Sequence, residues 1–139
     1  MTCSRRDLCG LLAGLAASPG IAVQNNELLS RTFRYEGMPV RKNGENELRP
    51  VLSGELHNGS YLEVHETRLA PGGMPHPAHH HLHEEMFLVR AGTIEVTTNG
   101  KPSQLGPGSV AFVKSNDEHG IRNAGTTPAE YFVVELGKG

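Results

Sequence analysis

The sequence predicts an all-β domain, an antiparallel sandwich or barrel, on three observations. Short stretches of alternating and β-branched residues recur about every ten residues. Turn signals such as Asn58-Gly59 and Asn99-Gly100 separate them. No segment after Ala22 carries a sustained helical period with caps. With 17 glycines and 9 prolines in 139 residues, the chain is rich in the residues that tight turns need.

The first twenty-odd residues stand apart. Ser4-Arg5-Arg6 precedes the apolar run Leu8–Ala17, and Ser18-Pro19-Gly20-Ile21-Ala22 ends it with small residues and a helix breaker. Charged start, apolar middle and small-residue end are the parts of a secretory signal, and the run is too short to span a bilayer. Its paired arginines resemble the twin-arginine export signal, although Leu8-Cys9-Gly10 departs from the usual Phe-Leu-Lys. Residues 1–22 are therefore expected to be a signal peptide, and the mature protein periplasmic or secreted, with no stable membrane anchor. Both cysteines, Cys3 and Cys9, lie in this segment. Cleavage near Ala22 leaves only nitrogen and oxygen donors for any metal.

Beyond it, residues 23–47 read as a polar arm with one strand at Arg31–Tyr35, packed along an edge or reaching a partner subunit. Residues 48–139 form the single domain. Strands are expected at Arg49–His57, Tyr61–Leu69, Glu85–Val89, Thr93–Thr98, Ser109–Lys114, Gly120–Arg122 and Glu130–Leu136. Asn99-Gly100 signals a type I′ hairpin. A formal net charge of -2 with no block of like charges excludes a nucleic-acid surface. No internal repeat is present, and one core is what this length supports.

Chemistry concentrates in the second half. Of 8 histidines, five fall between His76 and His83, and His119 follows Glu85 by 34 residues. His79 and His81 are two apart, so in extended chain both imidazoles face one side while His80 points away. A straight strand would carry Glu85 about 13 Å past His81, too far for bonds of about 2.0–2.2 Å to one ion. The chain must bend at Leu82–Glu84, and His119 joins only if two strands return it to the same interior. His79, His81, Glu85 and His119 are thus the expected metal ligands.

The order Gly73, five residues, His79-x-His81, three residues, Glu85, six residues, Gly92 resembles the first motif of the cupin superfamily at every position. Gly108, five residues, Lys114-x-Asn116, two residues, His119, three residues, Asn123 resembles the second. Lys114 and Asn116 replace the usual Pro and Gly; Asn tolerates the left-handed backbone that glycine would take, whereas Lys114 gives up a rigid turn. The two motifs span Gly73–Asn123. The resemblance implies a double-stranded β-helix (jelly roll, or cupin barrel) with the metal inside it. It also implies pairing of sheets into a homodimer, for which Arg31–Met38 could supply an exchanged edge strand.

Other residues receive plainer assignments. A pair shifted to His81 and His83 breaks the motif spacing, so His83 is placed at the bend, exposed or supporting a ligand, with a proton-transfer role open to it. His76 is read as a loop residue, and His57 and His65 as surface or packed. Phe87, Val89, Phe112 and Ile121 are expected in the barrel interior. Glu84, Asp117 or Glu118 could orient a ligand imidazole, and Asn123 is assigned to a backbone turn.

Three imidazoles and a carboxylate leave two positions open on an octahedral ion, which suits reactivity more than structure. The donors admit a divalent transition metal; Mn or Fe is favoured if the folded protein is loaded before export, with Zn, Ni, Co or Cu compatible. Two function classes follow. One is a small metal-dependent enzyme: a dioxygenase, or a Lewis-acid decarboxylase, isomerase or lyase. The other is a non-catalytic module binding a small anionic or sugar-like ligand or metal. No catalytic group beyond the ligands is assigned.

Overall fold

The computed structural model describes residues 27–138. The signal expected over 1–22, with Cys3 and Cys9, lies outside the described residues. Among those described, no helix is long and apolar enough to cross a membrane. After a 3-10 turn at Tyr35–Gly37, nine strands follow: β1 (Arg41–Asn43), β2 (Asn46–Glu55), β3 (Tyr61–Leu69), β4 (Glu84–Ala91), β5 (Ile94–Thr98), β6 (Lys101–Leu105), β7 (Val110–Val113), β8 (His119–Asn123) and β9 (Ala129–Leu136). They form a six-stranded sheet in the order β1-β2-β3-β9-β4-β7 and a three-stranded sheet β6-β5-β8, every pair antiparallel. This is the all-β jelly roll that the sequence predicts.

Alternation decides what each strand presents. On β3 the inward positions are Glu63, His65, Thr67 and Leu69; on β9 they are Ala129, Tyr131, Val133 and Glu135; on β4, Glu85, Phe87 and Val89. Register places these in rows across β3, β9 and β4: Glu63–Glu135–Glu85, then His65–Val133–Phe87, then Thr67–Tyr131–Val89. The apolar members meet Ile94, Val96 and Ile121 from the smaller sheet to make the core. Phe87 and Tyr131 pack edge to face at 6.2 Å, and burying a side chain of this kind contributes roughly 1.5–3 kcal/mol. One end of the barrel is therefore apolar and the other is lined with carboxylates.

Turn chemistry follows the residue types. Asn99 and Gly100 both have positive φ, 49° and 77°, the backbone of a type I′ turn, and they join β5 to β6. Gly92 has φ +73°, and a Cβ there would lie 2.6 Å from Pro128 O and 2.7 Å from Ala129 Cα, so only glycine fits.

Three expectations are corrected. Arg31–Tyr35 forms no strand, and the edge strand is β1, hairpinned to β2. Tyr35 instead lies across the outer face of the large sheet, its ring under Arg49 of β2 at 4.7 Å and Arg90 of β4 at 5.0 Å. These cation–π contacts hold the arm on the sheet. Phe112 is 56% exposed, with Val110 beside it in parity at 53%, while Ala111 and Val113 point inward. One residue's parity on an edge strand decided that. Lys101–Leu105 also forms a strand, β6, although its exposed side chains carry no apolar alternation.

Candidate metal centre

The segment between β3 and β4 does not cross directly. It returns along β8: Asn123 N donates to Gly73 O at 2.9 Å, and His79 and His119 exchange backbone hydrogen bonds of 2.9 and 2.8 Å. Gly120 permits the approach, since a Cβ there would sit 3.2 Å from Ala78 Cβ. His79 is thereby placed beside His119, and the bend expected at Leu82–Glu84 then delivers Glu85 into β4.

Asn116 has φ +64°, the left-handed backbone expected of it in place of glycine. Its N–H donates to His81 O at 2.8 Å, and Asp117 N donates to Lys114 O at 3.1 Å. The turn before His119 is closed without a proline, and it ties the two motifs together.

The imidazoles of His79, His81 and His119 converge, with ring centroids 4.8–5.1 Å apart. Their Nδ1 atoms face main-chain carbonyls: His81 to His83 O at 2.9 Å, His119 to Asp117 O at 2.9 Å, and His79 to Pro77 O at a longer 3.4 Å. A carbonyl can only accept, so Nδ1 carries the proton and Nε2 presents a lone pair inward. The orienting groups are thus backbone carbonyls; the side chains of Glu84, Asp117 and Glu118 do not take that part.

Glu85, 7% exposed, completes the convergence: Oε2 is 2.9 Å from His119 Nε2 and Oε1 is 3.3 Å from His81 Nε2. Both of those Nε2 atoms are buried without a hydrogen-bond partner. Lone pairs facing a carboxylate at such distances repel unless a cation or a proton lies among them. The donor set fits a divalent transition metal on that ground. Burial, then His76, lowers the His79 pKa, and burial, then His81, lowers that of His83. Neutral imidazole, the form that ligates, is favoured for both.

His83 lies in the bend, part-buried, and supports a ligand imidazole, one of the roles expected of it. It stacks on His81 at 3.6 Å with ring planes 9° apart, and its Nε2 is 3.6 Å from Glu85 Oε1 and 3.4 Å from Glu135 Oε2. His81, His83 and Glu85 are also close enough to share an ion. Asn123 acts on the backbone as assigned, accepting from Gly125 N and donating to Leu69 O and Thr127 O at 2.8–3.0 Å.

A cavity of about 260 Å³ opens beside Glu85 and His119. Leu69, Phe87, Ile121 and Val133 give it apolar walls; His65, Thr67 and Tyr131 add polar groups; Arg41 and Lys42 of β1 contribute cationic lining. Burial pushes the Tyr131 phenol up, so it stays protonated beside Thr67. Sequence reasoning left His65, Glu63 and Glu135 without a role. The available signal was parity: polar residues at inward positions of β3 and β9.

With this geometry, comparison with known proteins is direct. The cupin domain model matches residues 65–135. The chain belongs to the cupin domain family. It is 30% identical over 116 residues to the oxalate-binding protein of Thermotoga maritima, spanning 83% of this chain and 93% of that one. It is 32% identical over 76 residues to mannose-1-phosphate guanylyltransferase of Klebsiella pneumoniae, which covers 55% of this chain but only 16% of that enzyme. Among solved structures, KdgF from Halomonas sp. superposes with a TM-score of 0.69 at 15% identity, covering 80% of this chain and 96% of that one.

Proposed function

We propose that this cupin is a small metal-dependent enzyme that takes a small carboxylate of the oxalate class. His79, His81, Glu85 and His119 would hold the ion, with Mn or Fe favoured. The observation that carries the reading is the convergence of unpartnered imidazole Nε2 atoms and the Glu85 carboxylate at the wall of a 260 Å³ cavity. A bound Mn or Fe ion would supply Lewis-acid or redox activation of substrate oxygens.

The chain's own residues do the rest. Carbonyl-locked tautomers keep the three Nε2 lone pairs aimed inward before any ion arrives. Leu69, Phe87, Ile121 and Val133 give the cavity apolar walls, beside which electrostatic attraction is stronger than in bulk water. Arg41 favours an anion over a neutral sugar, whereas Lys42 faces Glu47, a further lining residue, at 3.9 Å. Similarity to an oxalate-binding protein over most of both chains supports the same ligand class.

The test is calorimetry of Mn(II)- and Fe(II)-loaded protein with oxalate and malonate, followed by turnover assays for carbon dioxide, formate and oxygen uptake. Oxalate is expected to bind the loaded protein and to fail with His119→Ala. Absence of binding to either loaded form refutes the proposal. Binding without turnover selects the second reading, a non-catalytic carboxylate-binding cupin, which the largely apolar cavity walls favour. The export-like Arg5-Arg6 sequence supports a site of action outside the cytoplasm. If protein from its native periplasm carries only Zn or Cu, Mn and Fe are ruled out.

A further inference from the structure

A second group of donors lies next to the first, and the reading above gives its carboxylates no part. Glu63, Glu135 and Glu85 occupy directly opposed positions on three neighbouring strands and share the inward face. Like charges so placed destabilise a sheet unless something between them is positive. His65, on the same face of β3, directs Nδ1 toward this row, 3.9 Å from Glu63 Oε1 and 4.0 Å from Glu135 Oε1.

Those distances are informative. They exceed any hydrogen bond, and His65 Nδ1 is buried with no hydrogen-bond partner. Two donors each about 2.1 Å from one ion stand at most about 4.2 Å apart. The gaps at His65 fall inside that span, and the donor atoms of all three residues lie within 4.8 Å of one another. His83 Nε2, 3.4 Å from Glu135 Oε2, stands at the border with the first cluster and offers a further nitrogen.

We propose that Glu63, His65 and Glu135 form a second divalent-cation site beside the His79–His81–Glu85–His119 cluster. One imidazole and two carboxylates suit Zn, Mn or Fe, and two carboxylates neutralise the ion's charge. The site is independent of the carboxylate reading, since it needs no substrate.

Zn(II) alone is the probe. Full-length protein carrying Cys3→Ser and Cys9→Ser, stripped with chelator, is titrated at pH 7.5 by calorimetry, and retained metal is counted by elemental analysis after desalting. The parent is expected to take about two equivalents. Glu63→Gln and, separately, His65→Gln should each retain one, with circular dichroism checking the fold. His119→Ala should also retain one, and Glu63→Gln with His119→Ala none. His76→Ala with His80→Ala removes the exposed loop imidazoles and should leave both equivalents. A parent that takes one equivalent, abolished by His119→Ala, overturns the second site and leaves the first standing. Two equivalents surviving in both Glu63→Gln and His65→Gln, or a second equivalent lost with His76 and His80, overturns it as well.

Discussion

Replacing Glu135 by Gln should change how folding stability depends on pH, and the size of the effect follows from the row of carboxylates. Burial first, then the neighbouring charges of Glu63 and Glu85, pushes the Glu135 carboxyl from 4.5 up to about 7. A shift of that size corresponds to about 3 kcal/mol of folding free energy once both states have titrated. The side chain keeps 22% of its surface exposed, and solvent screening reduces the figure to roughly 1–2 kcal/mol. The sign is set by which state holds the proton. Between pH 4.5 and about 7 the folded protein binds it more tightly than the unfolded chain, so stability is full below 4.5 and is lost as pH rises through 7.

His65, His79 and His83, lowered chiefly by burial, act in the opposite sense, destabilising the fold as pH falls below the ordinary histidine range. They are present in both proteins, so the difference between wild type and Glu135→Gln reports the carboxyl together with its coupling to His65 and His83. The assay is urea unfolding of chelator-treated protein from pH 4.5 to 8. Wild type is expected to lose roughly 1–2 kcal/mol more than the variant across that range. A difference that stays constant with pH would refute the account of the row. Saturating Zn(II) at pH 8 should reverse the ranking if Glu135 also binds a cation.

Two further outcomes are expected. Asn123→Ala removes three hydrogen bonds from a side chain 1% exposed and strands the Leu69 carbonyl and the Gly125 N–H, so the urea midpoint should fall by the equivalent of about 2–4 kcal/mol; a loss under about 0.5 kcal/mol contradicts the bonding described. Phe112 and Val110, exposed beside the outward Met86 and Leu88 of β4, are expected to seat a homodimer. Light scattering at micromolar concentration should read a dimer for wild type and a monomer for Phe112→Glu, and a monomeric wild type removes the expectation.

Much of this molecule was legible in one dimension. Turn residues at Asn99-Gly100, the left-handed Asn116 and the parity of His79 and His81 are local properties, set by backbone sterics and a period of two. The impossibility of a straight path from His81 to Glu85 was local too, being a matter of chain length against bond length. Spacing therefore named four members of the cluster, though not His83, which stands among them. It did not suffice for what surrounds them. That backbone carbonyls rather than Asp117 or Glu118 orient the imidazoles depends on where the chain turns in space. That Phe112 faces solvent depends on which face of an edge strand meets the core. The meeting of Glu63, His65 and Glu135 depends on the pairing of β3 with β9, strands about 70 residues apart in the chain, and register between distant strands is fixed only when the barrel closes.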